Sequence, residues 1–128
     1  MPSNYIELNE AWRNVQQTND GREIRCDSGF AGEWYRFTGA AGDVMPTQAP
    51  PSTYMCSSAA PMWMNGQHPT LADGEVSRQV CAYYSGDTCE WDTTIQVRAC
   101  SGGYFVYKLP PAPMCDLTYC GTQLLIRE

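Results

Sequence analysis

The sequence has little of what most catalytic and metal sites are built from. Its 128 residues include one histidine, His68, and one lysine, Lys108, and 17% of them are charged, below the quarter or so typical of globular domains. No Cys-x-x-Cys pair occurs, although zinc sites usually take ligands from such pairs. We find neither a Gly-x-Ser-x-Gly nucleophile motif nor a phosphate-binding glycine loop. These absences argue against a zinc protein, a hydrolase of the Gly-x-Ser-x-Gly type and a nucleotide binder. We also expect no cofactor.

Basic clusters and long apolar runs are also missing. The net charge is −6, and the eight basic residues form no run or stripe, which excludes the basic footprint of a nucleic-acid binder. No stretch approaches the roughly 18 apolar residues that a membrane span needs, so we expect no membrane insertion. The first residues lack the charged start and apolar block of a secretory leader. If the chain is extracellular, we therefore expect a mature or excised piece, with Met1 added as a start.

Cysteine is the feature that the chain does have in abundance. Seven cysteines are spread singly over nearly the whole length of a chain rich in glycine and proline. This pattern is typical of a disulfide framework and therefore of an oxidising compartment, whereas reduced core cysteines are the alternative. An odd number leaves one thiol that is unpaired, bonded to another chain or bonded beyond this sequence. Six paired cysteines allow 15 connectivities, and spacing alone does not choose among them.

Alternation of apolar and polar residues predicts strands. Trp34–Thr38 is rich in aromatic residues, and a second apolar series begins at Ile95 and runs to Cys100. The glycines at Gly102 and Gly103 interrupt that series, and residues 104–109 resume it, so we predict a hairpin there. Three prolines, beginning at Pro110, should end the second strand because proline cannot donate to a ladder.

Other segments have weaker patterns. Leu8–Gln17 has apolar residues at helical spacing, and we predict one short helix there. Residues 39–51 should form a loop, residues 56–69 an irregular, partly buried segment, and residues 74–84 either a helix or a strand. We predict a mainly β, small disulfide-stapled domain of packed antiparallel sheets at residues 4–120. Residues 121–128 should be an edge strand or a frayed C-terminal tail.

Few side chains are candidates for chemistry. His68 lies between Gln67 and Pro69, with no nucleophile motif nearby, and we interpret it as a surface or hydrogen-bonded histidine. Asp87, Glu90 and Asp92 could hold calcium, but their spacing does not match an EF-hand loop, and a solvated turn is the simpler interpretation. We expect neither a metal site nor a catalytic residue.

The four tryptophans and eight tyrosines could serve either of two roles, packing in the core or binding a ligand. In a small domain most aromatic side chains belong to the core. We assign five residues to it, namely Trp34, Phe37, Trp91, Phe105 and Val106. Exposed rings could instead stack against sugars, and we take five candidate ligand-binding residues from the two most promising stretches and the histidine, namely Trp63, Asn65, His68, Tyr83 and Tyr84.

Short motifs from Tyr5 to Cys120 together resemble the cysteine-rich extracellular domain of the uromodulin family, which has eight or ten cysteines. Among the motifs are Gly32-Glu33-Trp34-Tyr35-Arg36-Phe37, Met62-Trp63-Met64-Asn65-Gly66-x-His68-Pro69, Cys100-x-Gly102-Gly103-Tyr104-x-Val106-Tyr107 and Cys115-x-Leu117-x-Tyr119-Cys120. The resemblance implies secretion and a non-catalytic module within a larger mosaic protein.

The resemblance also implies a cysteine pairing. The pairs would be Cys26–Cys115, Cys56–Cys120 and Cys81–Cys89. Cys100 would then be the unpaired thiol, because its usual partner would lie near Ser3, and it becomes a candidate for oligomerisation or for a covalent partner. Losing either of the first two disulfide bonds, which close long loops, should threaten folding. Losing the third bond, which closes a short loop, should matter less.

The sequence departs from the family pattern at a glycosylation site and at two cysteines. Relatives often read Asn-Gly-Thr where this chain reads Asn65-Gly66-Gln67, and no asparagine here stands in an Asn-x-Ser/Thr acceptor site. The family's usual cysteines between Met45 and Met55 and at Thr88 are also absent, which is consistent with one bridge lost as a unit.

Three function classes remain at this point. The first is a non-catalytic extracellular binding or structural module with a protein or glycan partner. The second is a free-standing soluble lectin or adhesin that binds glycans through exposed aromatic residues. The third is a small secreted hydrolase, for which the residues are too scattered to assign roles. The composition and the resemblance favour the first.

Overall fold

The computed structural model describes residues 4–15, 25–50 and 55–123. Its strands are β1 (Ile6–Leu8), β2 (Glu33–Phe37), β3 (Met62–Asn65), β4 (Glu75–Tyr84), β5 (Asp87–Cys100) and β6 (Tyr104–Leu109). Single 3-10 turns occupy Ala11–Arg13, Gly39–Ala41 and Leu71–Asp73. In the described ranges, no helix is long and apolar enough to cross a membrane.

The six strands form one sheet in the order β1-β2-β6-β5-β4-β3. The short β1 pairs parallel with β2, and every other neighbouring pair is antiparallel. The prediction of a mainly β, disulfide-stapled domain is confirmed. Where packed antiparallel sheets were expected, the described residues form a single sheet covered on one face by loop segments.

The alternation read from the sequence accounts for the middle of this sheet. Ile95 and Val97 of β5 are buried, whereas Gln96 and Arg98, which alternate with them, are partly exposed. The β5–β6 hairpin is confirmed, with its turn at Ser101–Gly103. Residues 75–84, which the pattern left open, form strand β4 because their alternating side chains pair along most of β5.

The covered face of the sheet holds the core. Its fully buried side chains come from five strands and from the loops that lie across them, including Phe37, Met62, Val80, Ile95, Val97, Tyr107, Leu109, Leu117 and Tyr119. The loops also close the edge of β3, since Met62 donates to the carbonyl of Thr118 (3.2 Å) and Met64 to that of Pro46 (2.8 Å). Of the two edge strands, β3 is therefore closed by protein backbone.

The predicted N-terminal helix is wrong. Residues 6–8 form β1, only Ala11–Arg13 turn helically, and Gln16 and Gln17 lie outside the described residues. The residue before the turn, Glu10, makes no side-chain capping hydrogen bond. Tertiary contacts override the helical spacing here. Leu8 is buried where β1 pairs with Phe37 of β2, and Arg13 is buried where it forms an ion pair with Asp27.

That ion pair joins three distant segments. The Arg13 guanidinium donates two hydrogen bonds to the Asp27 carboxylate (2.8 and 3.0 Å), and both side chains are at most 5% exposed. Arg13 also donates to the carbonyl of Tyr119 (3.1 Å), and the backbone N–H of Tyr119 donates to Asp27 (2.8 Å). Burial by itself would lower the pKa of Arg13, but the bonds and charges of the neighbouring carboxylates outweigh it and raise that pKa. The pair therefore holds the N-terminal turn, the 25–32 segment and the C-terminal segment together.

The core assignments are partly right. Phe37 and Val106 are fully buried, and Trp91 and Phe105 are half-buried and pack against the core. Trp34 was placed in the core wrongly. It lies out of phase with Tyr35 and Phe37 in β2, and because strand side chains alternate, its ring lies on the other face of the sheet.

The loop predictions have mixed outcomes. The described part of residues 39–51 is a loop apart from the turn at Gly39–Ala41. Residues 56–69 are mostly irregular and buried as expected, but they contain strand β3. Of the C-terminal segment, Thr122 pairs with Val44, and residues 124–128 lie outside the described part of the chain.

Candidate binding surface

The five candidate ligand-binding residues do not form one site. Trp63 was expected to be exposed, but its side chain is buried, with 8% of the residue exposed. Its indole N–H donates to the carbonyl of Thr88 (2.9 Å), which ties β3 to the β4–β5 hairpin. The ring therefore has a structural role, in keeping with the tendency of buried tryptophans to satisfy their N–H.

His68 belongs to the covered side of the sheet. Its Nε2 lies 2.7 Å from the hydroxyl of Tyr107, and its ring packs 4.4 Å from that of Phe105. The Tyr107 hydroxyl also accepts the backbone N–H of Met45 (3.0 Å), so His68, this hydroxyl and the Met45 backbone form one hydrogen-bonded chain. Burial, with a smaller contribution from Arg78, lowers the pKa of His68 to about 4. The interpretation as a hydrogen-bonded histidine agrees with this geometry.

Tyr83 and Tyr84 lie near the end of the β4–β5 hairpin. Tyr84 is 38% exposed and its ring lies 5.7 Å from that of Trp91, whereas Tyr83 is half-buried. Asp87 in the same hairpin accepts the backbone N–H of Cys89 (2.9 Å). Among the described residues no group of three potential ligands could hold a metal ion. The acidic residues here behave as side chains of a solvated turn.

Asn65 lies on the uncovered face of the sheet, in a row that the sequence interpretation did not identify. Its amide donates to Gln79 Oε1 (2.9 Å), and the Gln79 amide donates to Asp92 Oδ2 (3.0 Å). One row along, the Ser77 hydroxyl donates to Gln96 Oε1 (3.2 Å). We call the face that carries Trp34, Asn65, Ser77, Gln79, Asp92 and Gln96 the open face. The polar half of the alternation in β4 and β5 was the signal for it.

The three disulfides divide into two kinds. Cys26–Cys115 and Cys56–Cys120 close loops with sequence separations of 89 and 64, and they fasten the covering loops to the C-terminal segment. Cys81–Cys89 has a separation of 8 and lies within the β4–β5 hairpin. These are the three pairs that the family resemblance implies.

Cys100 takes no part in these three bonds. It ends β5, opposite Tyr104 on β6, and is 2% exposed. Burial raises the pKa of its thiol, which disfavours the reactive thiolate. A covalent partner at Cys100 stays a prediction.

Comparisons with known proteins give a consistent result. A family model for the uromodulin-like eight-cysteine domain matches residues 35–121. Uromodulin of Mus musculus is 46% identical over 116 residues, which is 91% of this chain and 17% of that protein. Pancreatic secretory granule membrane major glycoprotein GP2 is 46% identical over 117 residues in Canis lupus familiaris and 42% identical over 117 in Homo sapiens. These matches cover 91% of this chain and 22% and 21% of the two relatives, so the chain spans about a fifth of the relatives' length.

Proposed function

The chain belongs to the uromodulin-like eight-cysteine domain family, and from this premise we propose that it is a non-catalytic extracellular module. Its role would be to bind a protein or glycan partner, or to support a neighbouring segment, in a secreted or cell-surface protein. The placement of two long-range disulfides in the layer of loops over the sheet carries this proposal. That layer has little regular structure, so its order depends on bonds that persist in oxidising compartments.

The surroundings of the histidine support a non-catalytic role. A general base needs a lone pair within reach of a substrate proton. The Nε2 of His68 instead faces the fully buried Tyr107 hydroxyl at 2.7 Å, on the covered side of the sheet. The six cysteines of the three disulfides have no thiolate to act as nucleophile. A small secreted hydrolase is therefore the weakest of the three functions considered.

The sizes of the relatives favour a module over a free-standing lectin. The matched stretch makes up 17% of mouse uromodulin and 22% of the dog glycoprotein, whose name places it in the membrane of secretory granules. A stretch shared in this way is typical of a domain used as one part of a longer protein. An extracellular location for this chain is part of the proposal.

The disulfides provide a direct test. The chain would be produced through the secretory pathway of a eukaryotic cell and, separately, in a reducing cytosol. Alkylation and intact mass would then be measured before and after reduction. We expect six cysteines of the secreted form to be labelled only after reduction, together with a cooperative thermal transition that the reduced form lacks. A reduced form with the same transition as the secreted one would contradict the proposal.

A further inference from the structure

We propose that the open face binds a neutral glycan, with the hydrogen-bonded row Asn65–Gln79–Asp92 and the neighbouring pair Ser77–Gln96 as the polar contacts and Trp34 as the stacking ring. The inference rests on the proposed function of an extracellular binding module and names the class of its ligand.

The strand register places these groups side by side. Ser77 pairs with Gln96, Gln96 with Lys108, and Lys108 with Trp34, so one row crosses β4, β5, β6 and β2. At the usual strand spacing this row is roughly 14 Å long. Asn65 pairs with Gln79 in the adjacent row on β3 and β4. The open face is thus a broad platform of polar side chains that ends at an indole ring.

The polar groups suit hydroxyl-bearing ligands. Asn65 and Gln79 are exposed, and each amide uses one N–H in the bonds already described, which leaves its second N–H for a ligand. The Asp92 carboxylate accepts strongly from hydroxyl groups. Because the row is already held by its internal hydrogen bonds, less side-chain freedom is lost when a ligand binds.

The charge of the open face favours a neutral ligand. Glu75 pairs with Arg98 across β4 and β5. Lys108 and Asp92, which carry opposite charges, lie on either side of the side-chain amides of Gln79 and Gln96. Opposite charges at these spacings leave no concentrated field of one sign. Arg36 also lies on this face and pairs with Glu7 across β1 and β2, so an anionic ligand such as a sialylated glycan or a nucleic acid would meet a carboxylate beside each arginine.

The distribution of apolar side chains argues against a protein partner on this face. Protein interfaces depend on apolar or aromatic anchors at their centre. The large hydrophobic residues that are exposed in the described part of the chain are Ile6, Leu71, Tyr84 and Met114. Of these, Ile6 pairs with Tyr35 on the covered side, Leu71 and Met114 lie outside the strands, and Tyr84 lies at the hairpin end. The exposed side chains at the centre of the open face are therefore polar.

The test is an NMR titration of the disulfide-bonded, isotope-labelled chain. The probes are neutral trisaccharides based on glucose, galactose and mannose, with a sialylated trisaccharide for comparison. We expect the neutral sugars to shift the side-chain amide signals of Asn65, Gln79 and Gln96. The amide of Asn14, which donates to the carbonyl of Ala40 (3.2 Å), should stay unchanged.

Variants make the readout specific. Gln79→Ala and Gln96→Ala should each weaken sugar binding by about five- to tenfold, the effect of losing one or two net hydrogen bonds. Gln48→Ala is the matched control, because Gln48 is exposed outside the sheet. All three variants should keep the thermal transition of the parent chain.

Three outcomes would overturn the glycan proposal. One is the absence of shifts at millimolar sugar, and the second is a shift confined to Tyr84 and Trp91. The third is a change in the open-face signals with protein concentration and no sugar, which would indicate a second copy on this face. With six protected cysteines, any of these leaves the module proposal standing, whereas reduced cysteines in the secreted chain would refute that proposal instead.

Discussion

At the scale of single residues, the backbone around Gly121 is closely packed. A Cβ added there would overlap the carbonyl oxygen of Ala41 and crowd the ring of Phe37. Gly121 also takes part in backbone hydrogen bonds with Arg13 and Val15. The space between the C-terminal segment and the turn at residues 39–41 therefore admits only a hydrogen atom.

We expect Gly121→Ala to destabilise the fold by about 1–3 kcal/mol or more, the cost of overpacking against backbone that cannot move aside. Urea denaturation measures this change. Gly29→Ala is the matched control, because nothing lies within 4 Å of an added Cβ there, and it should change stability by less than about 0.5 kcal/mol. Equal effects of the two substitutions would show that the contact with Ala41 is not tight.

His68 should make the stability depend on pH. Its pKa of about 4 in the folded protein lies below the ordinary value of 6.5, because burial disfavours the charged ring. Between these two values the unfolded chain binds more protons than the folded one. The contribution is fully present above about pH 6.5 and is lost as the pH falls towards 4, by at most about 3 kcal/mol.

The measurement is urea denaturation of the parent chain and of His68→Gln at several pH values between 4 and 7.5. Glutamine can still form a hydrogen bond with the Tyr107 hydroxyl but does not titrate. The difference in unfolding free energy between the two proteins should change across this window and be constant above it. A difference that is constant from pH 4 to 7.5 would mean that the folded protein protonates His68 readily.

At the scale of elements, the disulfides differ in what they connect. The strands β4 and β5 are already joined by a long ladder, so Cys81–Cys89 adds a constraint to a local hairpin. The other two bonds hold irregular segments, whose backbone makes fewer hydrogen bonds, against the sheet. Their stabilising effect should be correspondingly larger.

We expect the double substitution Cys56→Ser with Cys120→Ser to cost about 4 kcal/mol, because a loop of 64 residues is released in the unfolded chain. The matched pair Cys81→Ser with Cys89→Ser releases a loop of 8 and should cost about 2–3 kcal/mol. Urea midpoints compare the two variants. A larger loss from the hairpin pair would show that local packing, not loop closure, determines the contribution.

At the scale of the whole molecule, the buried pair Arg13–Asp27 connects parts of the chain that are far apart in sequence. Its atoms contact the N-terminal turn, the 25–32 segment and the backbone of Tyr119. The sheet alone does not hold these segments in place. The ion pair therefore acts together with the long-range disulfides to order the layer over the sheet.

We expect Asp27→Asn to destabilise the protein by about 3–5 kcal/mol, because it leaves the Arg13 charge buried without its partner. Glu10→Gln is the matched control. Glu10 also bonds Arg13 (2.9 Å), but its side chain is 40% exposed, so the change should cost less than about 1 kcal/mol. Thermal denaturation of both variants separates the buried pair from the exposed one, and a loss of similar size in each would contradict the special role of Asp27.

Much of the fold was accessible from the sequence, because local alternation has a direct physical consequence in a strand. The β5–β6 hairpin followed from two alternating runs on either side of Gly102 and Gly103. The family resemblance pointed to the three cysteine pairs that the structure contains, which spacing by itself could not choose. Asn65 was named as a candidate ligand-binding residue, but its partner Gln79 was not, and Asp92 was considered only as a calcium ligand, since these residues lie on other strands.

The sequence by itself therefore determined the β class of this protein, the presence of a disulfide framework and the lack of a basic run. Only the tertiary structure decided which side chains are exposed. The burial of Trp63, the short turn in place of a helix at Arg13, and the row of amides on the open face all depend on contacts between residues distant in the chain. Periodicity reports which residues share a face of one element, but it carries no information about what covers that face.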